Sequence, residues 1–133
     1  MTENEIGKII VDCAYKVHVT LGPGLLETVY EVALLHEIRK HNLRAERQIP
    51  IPIVYDNIAF DEGFRADIIV EDLVIIELKS VEAILRVHKK QLLTYLRLAD
   101  KRLGYLINFG DELIKDGISR ISNGAEDWGT RSR

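Results

Sequence analysis

The chain has 133 residues, 47% of them hydrophobic and 29% charged, with a net charge of -3. That balance is ordinary for one soluble globular domain with a real core, and it speaks against a protein that coats nucleic acid over its whole surface. The single cysteine, Cys13, excludes a disulfide framework and a four-cysteine zinc or iron-sulfur site.

The start, Met1-Thr-Glu-Asn-Glu5, is acidic and carries no secretory signal pattern. No apolar run approaches the ~20 residues of a membrane span, so a cytoplasmic protein without membrane contact is expected. Apolar residues at Ile6, Ile9, Ile10, Cys13, Ala14 and Val17 predict a helix from Glu3 to about Val19. Thr20-Leu-Gly-Pro-Gly24 breaks it, because Pro23 lacks a backbone donor and the flanking glycines permit a sharp turn. A second helix is predicted from about Leu25 to His41, with Leu26, Val29, Tyr30, Ala33, Leu34 and Ile38 facing inward. Glu27 falls in its first turn, where a carboxylate favours the helix dipole.

From Gln48 the period changes to two. Ile49, Ile51, Ile53 and Tyr55 alternate with Pro50, Pro52 and Val54, and the two prolines confine this strand to a sheet edge. Asp56-Asn57 is a turn signal, and a short extended piece, Ile58 to Phe60, precedes a break at Asp61-Glu-Gly63. Phe64–Val70 and Leu73–Lys79 are apolar on both faces, so they predict two adjacent strands in the middle of a sheet. Val81 to about Asp100 has helical spacing, with Ile84, Leu85, His88, Leu92, Tyr95, Leu96 and Ala99 inward, and Gly104–Phe109 is another apolar strand. Strand, helix, strand implies a parallel crossover. Gly117–Ser122 reads as a last edge strand, which makes 1–122 one domain and 123–133, with Trp128, a polar frayed tail.

The anomaly is Asp67, Glu77 and Lys79 inside those apolar strands, where charges are costly unless they pair, bind metal or do chemistry. Glu77 and Lys79 are two apart and share a face. A two-residue turn would turn Asp67 away from Glu77. A three-residue turn at Glu71-Asp-Leu73 sets it directly opposite, the two carboxylates about 5 Å apart, and this, or an equivalent bulge, is the expected register. Two carboxylates with waters suit magnesium, and Lys79 beside them could orient a water and stabilise developing negative charge. That chemistry fits phosphodiester hydrolysis.

Asp67 followed by Glu77-Leu-Lys79 resembles the signature of the PD-(D/E)XK nuclease superfamily. Gln91-Leu-Leu-Thr-Tyr95 resembles the Gln-x-x-x-Tyr element of its RecB-type members, and Gly24-Leu-Leu-Glu27-Thr-Val-Tyr30 resembles the motif of the GxxExxY protein family within it. The similarity runs from about Ile6 to Ser122. It implies an α/β fold with a restriction-endonuclease-like core: a mixed sheet, antiparallel meander plus parallel crossover strand, flanked by helices. It further implies Mg2+ or Mn2+ held by Glu27, Asp67 and Glu77 with the Leu78 carbonyl, Lys79 as the catalytic lysine, and Gln91 and Tyr95 bracing the site or touching substrate.

Taken singly, these residues have plainer readings: a buried ion-pair cluster for Asp67, Glu77 and Lys79, a helix-start carboxylate for Glu27. His88 is expected beside the site and not as a ligand, His18, His36 and His41 at the surface, and Cys13 as an inert core thiol. From Arg86 to Arg102 six basic residues stand against Asp100 alone, a local charge of +5 that suits a phosphate backbone or simply a solvated helix. The expected activity is a metal-dependent nuclease acting on DNA. The alternative is an inactive nucleic-acid- or protein-binding module on the same fold. The edge strand near Ile49–Ile53 and the first two helices are the surfaces for self-association or a protein partner.

Overall fold

Thr2 and Glu5 start the first helix, α1 (Glu3–Leu21), with a reciprocal cap: Glu5 N–H donates to Thr2 Oγ1 at 3.2 Å and Thr2 N–H to Glu5 Oε1 at 2.8 Å. The computed structural model describes residues 1–124, apart from the side chains of Asp61 and Glu62. The expected frayed tail with Trp128 falls, from residue 125 on, outside the described residues. After α1 come α2 (Glu27–Arg39), β1 (Ala45–Tyr55), β2 (Ile58–Val70), β3 (Val74–Lys79), α3 (Arg86–Ala99), β4 (Leu103–Asn108), a short α4 (Ile114–Gly117) and β5 (Ile118–Ser122). Among the described residues no helix is long and apolar enough to cross a membrane.

The five strands form one sheet in the order β1-β2-β3-β4-β5. All neighbours are antiparallel except β3 and β4, which run parallel across the α3 crossover. This is the expected mixed sheet flanked by helices, with the proline-bearing β1 at one edge and β3 at its centre. One face packs on α1 and α2, where Ile6, Ile10, Tyr30 and Leu34 meet Ile68, Ile76 and Leu78, all essentially inaccessible. The other packs on α3 through Leu92 and Leu96 against Ile75 and Leu106; burying each leucine is worth about 1.5–3 kcal/mol.

Several local expectations are corrected. The inner face of α2 is Tyr30, Glu31, Leu34, Leu35 and Ile38, while Leu26 is 78% exposed and Val29 also lies outward. The cause is the loop before it. Gly24 sits at φ +95 and the Tyr30 hydroxyl donates to the Gly22 carbonyl at 2.5 Å and accepts from Leu25 N–H at 3.0 Å, and Leu26 stays extended before the helix. α3 starts at Arg86 and not Val81, because the chain leaving β3 is bonded to the end of β4 and only Leu85 N–H, accepted by His88 Nδ1 at 3.0 Å, begins the helix. β2 is continuous through the break expected at Asp61-Glu-Gly63, and the irregularity becomes a register shift between Ile51 and Ile53. His18 is buried, not at the surface: its Nε2 lies 2.8 Å from the Asp111 carbonyl and its ring 6.2 Å from Phe109. Cys13 is buried in the core as expected.

Candidate active site

The β2–β3 turn sets the site. Ile68 pairs with Ile76, Ile69 with Ile75 and Val70 with Val74, leaving Glu71, Asp72 and Leu73 outside the ladder. Glu71 and Asp72 both adopt left-handed φ of 53°, and Leu73 N–H closes the turn on the Val70 carbonyl at 2.9 Å. One step further along this register Asp67 stands opposite Glu77. Asp67 N–H donates to Glu77 Oε1 at 3.4 Å, and Asp67 Oδ2 accepts Leu78 N–H at 2.7 Å. The odd-length turn therefore brings the two carboxylates together, half-buried, with Lys79 two residues on at the end of β3.

Their protonation reflects that setting. Burial and then the Asp67 charge push the Glu77 carboxyl up to about 9 from its usual 4.5, with Lys79 acting weakly the other way. Burial also raises Asp67, aided by the charges of Glu31 and Glu27 and opposed by the Leu78 N–H bond. Burial of the pair thus favours the protonated form, most strongly at Glu77. Tyr95 on α3 is raised too, by burial first and then by the charges of Glu77 and Asp67, with Gln91 acting the other way. The Tyr95 ring stacks on Phe64 of β2 with centroids 3.7 Å apart. Glu27, the first residue of α2, is exposed at the rim and acts on Asp67 only through its charge. Among the described residues no three His, Cys, Asp or Glu side chains are gathered so that they could hold a metal ion.

A family model of the PD-(D/E)XK nuclease superfamily matches residues 4–121. The chain belongs to that superfamily. No curated protein and no solved structure matches it significantly. PD-(D/E)XK nucleases generally use divalent metals, and the donor set of this superfamily member suits one: two adjacent carboxylates, each pushed toward its protonated form, have a charge deficit that a hard cation removes.

The sequence reading missed a second layer beneath this PD-(D/E)XK pair. Glu31, buried on α2, is bound by Arg47 at 2.5 Å, and Gln48 Nε2 donates to Glu31 Oε1 at 2.6 Å and reaches Asp67 Oδ1 at 3.5 Å. Gln48 points there because its backbone is left-handed, φ 54°. The signal available was Glu31 four residues after Glu27, on the same helical face; nothing local marks Arg47 or Gln48. The motif tyrosine, Tyr30, lies away from the carboxylates, stacked on Phe109 at 4.4 Å and bonded to the loop that presents Glu27. His88 caps α3 and is not drawn to the carboxylates.

Proposed function

We propose that the chain is a divalent-metal-dependent nuclease acting on DNA in the cytoplasm, with Asp67 and Glu77 as the principal ligands of Mg2+ or Mn2+ and Glu27 as a third carboxylate drawn in from the rim when the ion binds. The reading rests on the Asp67–Glu77 pair opposed across β2 and β3 with Lys79 beside it. The bound ion would supply Lewis acidity and a more acidic water. The chain's own parts are then simple. Leu78 N–H fixes the Asp67 carboxylate, leaving Glu77 as its counterpart. Lys79 orients the attacking water and balances negative charge developing on the phosphate. Tyr95, stacked on Phe64 and with Gln91 one turn before it, lines the site from α3.

Within the superfamily we place the chain in the GxxExxY group, on Gly24, Glu27 and Tyr30, with the RecB-type element Gln91 and Tyr95. Gln91 and Tyr95 lie four residues apart on α3, hence on one helical face, which supports the second assignment. Arg86, Lys89, Lys90 and Arg97 are exposed along α3 and supply positive potential for a phosphate backbone; Lys101 is paired with Asp72 at 3.2 Å.

Linear, circular and single-stranded DNA incubated with the parent, Asp67→Ala and Lys79→Ala, with Mg2+ or Mn2+ and with EDTA, tests this. Metal-dependent cleavage by the parent alone is expected. Equal cleavage by the variants refutes the site, and binding of nucleic acid without cleavage makes the chain a binding module on the same fold.

A further inference from the structure

We infer that Asn108 is a positioning residue that fixes Lys79 and, through Ser80, the loop carrying Glu27; this rests on the nuclease reading of Lys79. Asn108 is the last residue of β4, stands opposite Lys79 in the parallel ladder, and is completely buried. Its carboxamide takes the place of a peptide group in the strand. Oδ1 accepts Val81 N–H at 3.0 Å and Nδ2 donates to the Val81 carbonyl at 2.9 Å, so pairing continues past the point where β3 ends. The remaining capacity is also used: Oδ1 accepts Gly110 N–H at 3.1 Å and Nδ2 donates to Asp111 Oδ2 at 2.9 Å. Two donors and two acceptors are thereby satisfied, the full complement of an asparagine.

The surroundings tighten the same clamp. Phe109 N–H donates to the Lys79 carbonyl at 2.8 Å. A Cβ at Gly110 would collide with the Val81 carbonyl, so only glycine lets the two segments approach. Ser80, held between Lys79 and Val81, donates its hydroxyl to the Leu25 carbonyl at 2.5 Å, two residues before Glu27. One buried side chain therefore ties the end of the Glu-x-Lys strand to β4, and Ser80 ties it to the loop that precedes α2. A strand end free to fray would let Lys79 wander by an ångström, which is enough to lose about 100-fold in rate.

Asn108→Ser and Ser80→Ala are compared with the parent in three measurements: urea unfolding, amide hydrogen exchange, and steady-state cleavage of DNA with Mg2+. In folded Asn108→Ser, exchange speeds up at Val81 and Gly110 while Ile68 and Ile75 are unchanged, and kcat falls roughly 10–100-fold with KM within about 2-fold. Ser80→Ala, which removes an outer link only, lowers kcat less and loosens the amides of Leu25 and Glu27 without loss of stability. Unchanged exchange in Asn108→Ser overturns the clamp. Faster exchange with kcat unchanged overturns its part in positioning Lys79. A parent that does not cleave removes the nuclease reading instead, and then exchange at Val81 and Gly110 still decides the clamp.

Discussion

Replacing Glu77 by Gln should change how the metal-free fold responds to pH. In the folded protein the Glu77 carboxyl is pushed up from 4.5 to about 9, by burial first and the Asp67 charge second. A raised acid stabilises the fold fully below its unfolded value and loses that contribution as pH rises toward the folded value. Between those limits the loss is up to about 1.4 kcal/mol per pH unit, hence up to about 3 kcal/mol between roughly pH 6 and pH 8. Asp67 and Glu77 titrate as a pair, so the expected drop is on the order of 1–3 kcal/mol. For a domain of this size that is a fall in melting temperature of roughly 4–10 °C. The assay is thermal and urea unfolding in EDTA at the two pH values, parent beside Glu77→Gln. The parent should lose stability and the variant should lose much less. Excess Mg2+ at the higher pH should restore the parent, since a ligand bound only by the folded state stabilises it, and leave the variant nearly unmoved. Parallel pH slopes for the two proteins would refute the reasoning about the buried pair.

Arg47→Ala should destabilise the protein by about 2 kcal/mol or more in urea unfolding, because it leaves buried Glu31 without its cation; a change under about 0.5 kcal/mol would mean the pair is solvated. Tyr30→Phe removes the hydroxyl bonded to Gly22 and Leu25, and should cost about 1–2 kcal/mol while lowering cleavage through the Glu27 loop, with ring stacking on Phe109 retained. Cys13, pushed up to about 11 by burial and by the charges of Glu37 and Asp12, should react with a thiol reagent near pH 8 at least about 100-fold more slowly in the native protein than in urea; rapid native labelling would contradict its place in the core.

The fold was legible wherever periodicity and packing agree. The apolar runs of β2 and β3 marked buried central strands, the prolines marked the β1 edge, and the strand-helix-strand order gave the parallel crossover. The Asp67–Glu77 juxtaposition was legible too, because an odd-length turn, or an equivalent bulge, puts both on one face. What failed was set by long-range bonds. The rotation of α2 follows from the Tyr30 hydroxyl and the Gly24 backbone, so Leu26 and Val29 look inward by periodicity and lie outward in fact. The late start of α3 follows from Asn108, 27 residues after Val81. His18 is buried because the Asp111 carbonyl, 93 residues away, receives it. Glu31, Arg47 and Gln48 form a network only once β1 lies against α2, and no spacing along the chain announces it.

Calorimetric titration of Mn2+ into the metal-free protein tests the central claim that Asp67 and Glu77 hold a divalent ion. The parent and Lys79→Ala should both bind, while Asp67→Asn and Glu77→Gln, folded by circular dichroism, should lose binding. No binding by the parent, or equal binding by all four proteins, would contradict it.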